Sequence, residues 1–171
     1  MARPFMEKLM QETKVSVFLG VFNRDHVTII DGVESTSDLK ITAQTGTNLP
    51  LLAGATGKVV MAVMDDAQVR NILGAKGLPK HTDNSIVAVG EFLEQIRQAR
   101  MQGYATDDEE YIPGVRAVAS PIMGTGQPLY AIWAVGFKAS LDDQKLEDLG
   151  KAIREAAEAI SRNIEGLETQ A

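Results

Sequence analysis

A chain of 171 residues, 44% hydrophobic and 23% charged, has the size and composition of one globular domain and not of a disordered or fibrous protein. Its formal net charge of −6 argues against this chain binding nucleic acid by itself, because phosphate would be repelled. The absence of cysteine excludes disulfides, thiolate metal sites and cysteine nucleophiles, and no apolar stretch approaches a membrane span, which together fit a soluble cytoplasmic protein.

Met1 to Thr13 reads as a short amphipathic helix, with Pro4 suited to a first helical position and Phe5, Leu9 and Met10 on one stripe. That stripe needs a cover, from a partner or from the domain itself. Val15 to Phe22 is apolar on both faces and predicts a central strand, with a turn at Asn23, Arg24 and Asp25 and a returning strand over His26 to Glu34. Asp38 to Ala43 alternates and predicts a third strand, followed by a polar loop from Gln44 to Leu49 that Pro50 helps to end. Leu51 to Met64 reads as a buried helix whose small-residue first turn can approach a neighbour or ligand closely. A second helix is expected over Asp65 to Leu73, and a longer one over Ser85 to Met101, with Val89, Phe92, Leu93 and Ile96 on one stripe and Gly103 closing it.

The stretch from Gly103 to Ile122, GYATDDEEYIPGVRAVASPI, organises the rest. It reads as a helix end, an acid-rich loop (Asp107, Asp108, Glu109, Glu110), a Pro113-Gly114 turn and then a core strand from Val115. The acids are either a solvated loop or polar groups held at the mouth of a pocket. Val115 to Met123 and Leu129 to Phe137 predict a hairpin through GTGQP, and a terminal helix from a Ser140/Asp143 cap to about Ile164 buries Leu146, Leu149, Ile153, Ala156, Ala157 and Ile160. Strands in hairpins without a βαβ repeat argue for an α+β domain, an antiparallel sheet with helices against it.

Few catalytic or metal-binding constellations survive inspection. GATGK at Gly54 to Lys58 is not a phosphate loop, because Leu52 and Val59 stand where that pattern needs Gly and Ser or Thr. His26 and His81 lie in no ligand-spaced motif, so no metal and no cofactor is expected. No serine sits in a nucleophile elbow, and the acids lack the other polar partners of a hydrolytic site, so the chain is read as no enzyme. Trp133, in the middle of a strand, either packs the core or lines a cavity.

Two long strings carry a resemblance to a known family. LPLLAGATGKVVMA (Leu49 to Ala62) and GYATDDEEYIPGVRAVASPI resemble the paired motifs of the C-terminal half of IclR transcriptional regulators, and LMQETKVSVFLGVF and AIWAVG fall in that family's order. The resemblance implies a GAF-like fold that binds a small-molecule effector between sheet and helices. It also implies pairing with itself as dimer or tetramer, and contact with DNA only through an N-terminal helix-turn-helix domain missing here. On this reading residues 1–13 are the end of a linker helix and 14–171 the effector-binding domain. Carried over by position, the effector-binding residues are Ile41, Leu49, Ala55, Thr56, Asp107, Val115, Ala117, Trp133 and Val135. Ile41 would lie on the third strand, the Ala55–Thr56 turn would offer N–H groups to an anion, and Asp107 would stand at the pocket mouth. Many members have two serine hydroxyls where this chain has Trp133 and Val135, which favours an aromatic or longer apolar acid over a two- or three-carbon oxoacid. The alternative is a free-standing GAF-like metabolite-binding module without a DNA connection. A GAF-like methionine sulfoxide reductase is excluded, because its chemistry uses cysteine.

Overall fold

The computed structural model describes residues 2–124, 126 and 129–168, and the side chains of all of these except 75, 76, 167 and 168. The elements run α1 (Arg3–Thr13), β1 (Ser16–Asn23), β2 (His26–Val33), β3 (Asn48–Pro50), α2 (Gly54–Ala62), α3 (Asp66–Lys76), α4 (Val89–Gln102), β4 (Ala105–Asp108), β5 (Val115–Ile122), β6 (Tyr130–Phe137) and α5 (Asp143–Glu168). The strands form one antiparallel sheet in the order β3-β2-β1-β6-β5-β4, so the expected α+β architecture is the observed one. β5 and β6 pair as expected, although residues 125, 127 and 128 of the turn between them lie outside the described residues.

Alternation along the central strands builds two cores. Phe18, Ala117, Ala119, Trp133 and Val135 face one side, where α2, α3 and α4 cover them with Val59, Val69, Leu73, Phe92 and Ile96. Val17, Val118, Ile132 and Ala134 face the other side, against Met6, Leu9 and Met10 of α1 and Leu146, Leu149, Ile153, Ala157 and Ile160 of α5. Because β5 and β6 are covered on both faces, they read as continuous apolar runs. The α1 stripe is thus covered by its own domain through Met6, Leu9 and Met10, with Phe5 partly buried beside them.

Five local expectations are corrected. Asp38 to Ala43 is not a strand: residues 46–50 take the free edge of β2, with Gly46 N–H donating to Ile29 and Ile29 N–H to Thr47, and Leu39 is left 81% exposed. The third strand is Asn48–Pro50, within what reads as a polar loop. α2 begins at Gly54, because residues 51–53 turn the chain and place the Leu51 carbonyl where a Cβ on Gly57 would collide with it. α4 begins at Val89, since the Ser85 hydroxyl is engaged by the N–H groups of His81 and Thr82 in a turn that competes with helix. At the head of α5 the Asp142 carboxylate accepts from Lys145 N–H at 2.9 Å, so the cap is Asp142 and not Ser140.

Candidate functional site

The acidic run is neither a solvated loop nor wholly a loop. Asp107 and Asp108 close β4, where Asp107 pairs with Ala117 and Asp108 with Arg116 of β5. Alternation therefore sends the two carboxylates to opposite faces of the sheet. Glu109 then adopts φ +60°, and Glu110 returns the chain toward α2. Each acid has a separate partner.

Asp107, 6% exposed, points at the helix layer. Its Oδ1 accepts from Glu110 N–H at 2.7 Å, and its Oδ2 sits so close to Gly54 that any Cβ there would collide with it. The carboxylate therefore abuts the first turn of α2, which has no side-chain N-cap and begins with a glycine at φ +62°. Burial pushes the Asp107 carboxyl up to about 6, the nearby Glu110 carboxylate adds to this, and the Glu110 N–H and the Lys58 ammonium oppose it.

Glu110 is held one turn further along the same face of α2. The Lys58 side chain is fully buried, and its Nζ lies 2.7 Å from Glu110 Oε1 while donating to Thr106 O at 2.8 Å. Gln95 Oε1, at 3.4 Å, completes its surroundings from α4. On the opposite face Arg116 grips Asp108 through two bonds of 2.7 and 3.1 Å and reaches the Leu141 carbonyl and Asp143 at the head of α5. That guanidinium holds Asp108 below the usual carboxylate range, and Lys138 does the same for Glu109. The Thr82 and Ser85 hydroxyls donate to the carbonyls of Glu109 and Glu110 and pin residues 82–85 over the turn. Lys58, Arg116 and Thr82 were not singled out from sequence. The available signal was a lysine inside the otherwise apolar, small-residue helix GATGKVVMA.

Most of the expected binding residues converge on the helix-facing side of the sheet. Asp107, Ala117, Val135 and Ser16 form one cross-strand row, and Ala105, Ala119, Trp133 and Phe18 form the next. Ala55 and Thr56, both buried, lie in the first turn of α2 beside Asp107. Val115 starts β5 on the same side. Leu49 pairs with Val27 on β3 and is half-buried. Ile41 is not on a strand; its side chain is half-buried against this core and its carbonyl accepts from the Ser16 hydroxyl at 2.7 Å. Trp133 is 4% exposed, packs 5.9 Å centroid to centroid on Phe18, and lies over Gly20, where a Cβ would meet its ring at 2.8 Å. His26 Nδ1 is 2.9 Å from Asp25, and the His81 ring meets Tyr111 edge-on.

An antiparallel sheet with helices packed on both faces is the α+β, GAF-like plan expected from the sequence, and a plan of this kind does not by itself assign a function. The chain belongs to the bacterial transcriptional regulator IclR C-terminal family, which it matches over residues 1–162. It is similar to the acetate operon repressor of Salmonella typhimurium, 32% identical over 161 residues that cover 92% of this chain and 59% of that protein. The chain therefore spans about three fifths of the length of such curated relatives. Its fold superposes on the IclR protein of Thermotoga maritima with a TM-score of 0.88 at 26% identity, covering 95% of this chain and 66% of that one. The inducer-binding domain of the PobR transcription factor from Acinetobacter shares the fold with a TM-score of 0.83 at 24% identity, over 94% of this chain and 95% of that one. The family is one of transcriptional regulators and not of enzymes.

Proposed function

We propose that this chain senses a small organic acid with an aromatic or longer apolar body, as the cytoplasmic effector-binding part of a regulator whose DNA contacts are made by a helix-turn-helix domain outside it. The observation that supports this most is the single row of Asp107, Ala117 and Val135 running beneath the first turn of α2. In this reading the effector lies against Ala117, Trp133 and Val135, flanked by Ile41, Leu49 and Val115, with its polar end toward Ala55 and Thr56. Asp107 already abuts that turn. A ligand carboxylate shares the turn with it only when Asp107 is protonated, and a ligand hydroxyl donates to it when Asp107 is charged. The PobR domain is described in complex with 3-hydroxybenzoic acid, and at this identity the likeness bears on the fold alone.

The family relation also underlies the expectation of dimers or tetramers, which sedimentation at micromolar concentration tests. The domain division at Thr13 is part of the same reading: residues 3–13 end a helix that would join the DNA-binding domain. For the effector, a panel of aromatic acids is titrated while Trp133 fluorescence and melting temperature are followed. The expected result is a saturable response that Trp133→Ala weakens by about tenfold or more. Silence across the panel, together with binding of glyoxylate or pyruvate, would overturn the reading of the ligand.

A further inference from the structure

Between β2 and β3 the chain does not form a strand but crosses the end of the sheet as a strap, residues 34–41, fastened by buried hydroxyls. The Ser16 hydroxyl donates to the Ile41 carbonyl at 2.7 Å and accepts from Ser35 N–H at 2.9 Å. The Ser35 hydroxyl donates to the Lys14 carbonyl at 2.6 Å and accepts from Ser37 N–H at 3.1 Å. Lys14, at φ 60°, is the left-handed C-cap of α1. The strap is thereby tied at both ends, to the start of β1 and to the end of α1.

Beneath the strap lies a cleft of about 640 Å³, bounded by the end of α1, the end of β6 and the first turns of α5. That volume is in the range of small-molecule sites. Its walls are apolar where they go deep, at Val15, Val135, Leu141 and Leu149, all buried. The charged groups at its rim are Glu12, Lys14, Lys40, Lys145 and Asp148. Glu12 pairs with Lys8 and Asp148 with Lys151, both outside the cleft, and Lys40 pairs with Glu34. Among the described residues no carboxylate pairs with Lys14 or Lys145, and Lys145 reaches only the Ser140 carbonyl, at 3.2 Å. Two ammonium groups without ion pairs among the described residues stand at the mouth of an apolar cleft, in a chain whose net charge is −6.

We propose that this cleft is a second small-molecule site, which takes a carboxylic acid with an apolar body and holds the carboxylate between Lys14 and Lys145. The apolar body displaces water from Val15, Leu141 and Leu149, and the carboxylate supplies a counter-charge for Lys14 and Lys145. Ile41 and Val135 form walls of this cleft as well as of the inner face, but Asp107 and α2 take no part in it. The proposal therefore does not rest on the inner-face reading. An acid seated here touches the strap and the capped end of α1 together.

The test is a titration of the intact chain with hexanoate and benzoate, followed by NMR of methyl groups and the Trp133 indole, with hexanol as the neutral counterpart. Saturable shifts are expected at Val15, Leu141 and Leu149. Hexanoate affinity is expected to fall roughly fivefold in the Lys14→Gln/Lys145→Gln variant, and to be unchanged in Lys80→Gln, a lysine that neither lines the cleft nor pairs with a residue that does. These lysines are exposed, so both variants should fold as the parent does, which far-ultraviolet circular dichroism checks. Equal binding of hexanol and hexanoate overturns the carboxylate assignment. Shifts confined to Ala55, Ala117 and Trp133 overturn the second site while favouring the inner face. No shift at any of these positions by about 10 mM acid overturns it as well, and leaves the inner face to be judged by native mass spectrometry of a co-purified ligand.

Discussion

Asp107→Asn should make the protein more stable at neutral pH, against the usual direction for a buried polar substitution. The folded-state carboxyl is raised from 3.8 to about 6, chiefly by burial, so the folded chain binds its proton more tightly than the unfolded chain does. The contribution of Asp107 to stability is accordingly greatest below pH 3.8, falls as pH rises between 3.8 and about 6, and above that carries the full penalty of a buried anion. At 1.36 kcal/mol per tenfold in proton affinity the interval corresponds to about 3 kcal/mol. The positive end of α2 offsets part of it, so about 3 kcal/mol is a ceiling. Asparagine keeps an oxygen for the Glu110 N–H and removes the charge. Urea unfolding from about pH 4 to about pH 8 should show the variant gaining on the parent as pH rises and matching it near pH 4. A variant that is less stable at pH 8, or whose difference does not depend on pH, would refute the argument that burial of this carboxylate governs the site.

Lys58→Met removes the cation from Glu110 and from the Thr106 carbonyl and should cost about 3–5 kcal/mol in chemical denaturation. The double variant Lys58→Met/Glu110→Gln should recover much of that loss, and a cycle without coupling would show the pair to be incidental. Gly57→Ala drives a Cβ into the Leu51 carbonyl and should cost roughly 3 kcal/mol or abolish soluble expression, whereas Gly74→Ala, where the Cβ meets open space, should cost nothing in thermal melting.

The elements built on local periodicity were legible in the sequence. β5 and β6 read as buried strands because both faces are apolar, and α5 read as a helix because Leu146, Leu149, Ile153, Ala157 and Ile160 recur at its period. The two long strings gave the family, and with it the sheet face on which Asp107, Ala117, Trp133 and Val135 meet. What tertiary structure decided were the pairings. Asp38 to Ala43 alternates as well as many strands do, but a strand needs an edge, and residues 46–50 occupy the one β2 offers. The run of four acids carries no local mark of which one is buried. Strand alternation sends Asp107 and Asp108 to opposite faces, and each acid is then neutralised or left burdened by what lies there: Lys58 for Glu110, Arg116 for Asp108, Lys138 for Glu109 and the first turn of α2 for Asp107. All four partners lie more than five residues along the chain from the acid they serve and meet it only because the fold brings them together, and the strength of a charge pair depends on separation in space and on the water excluded around it.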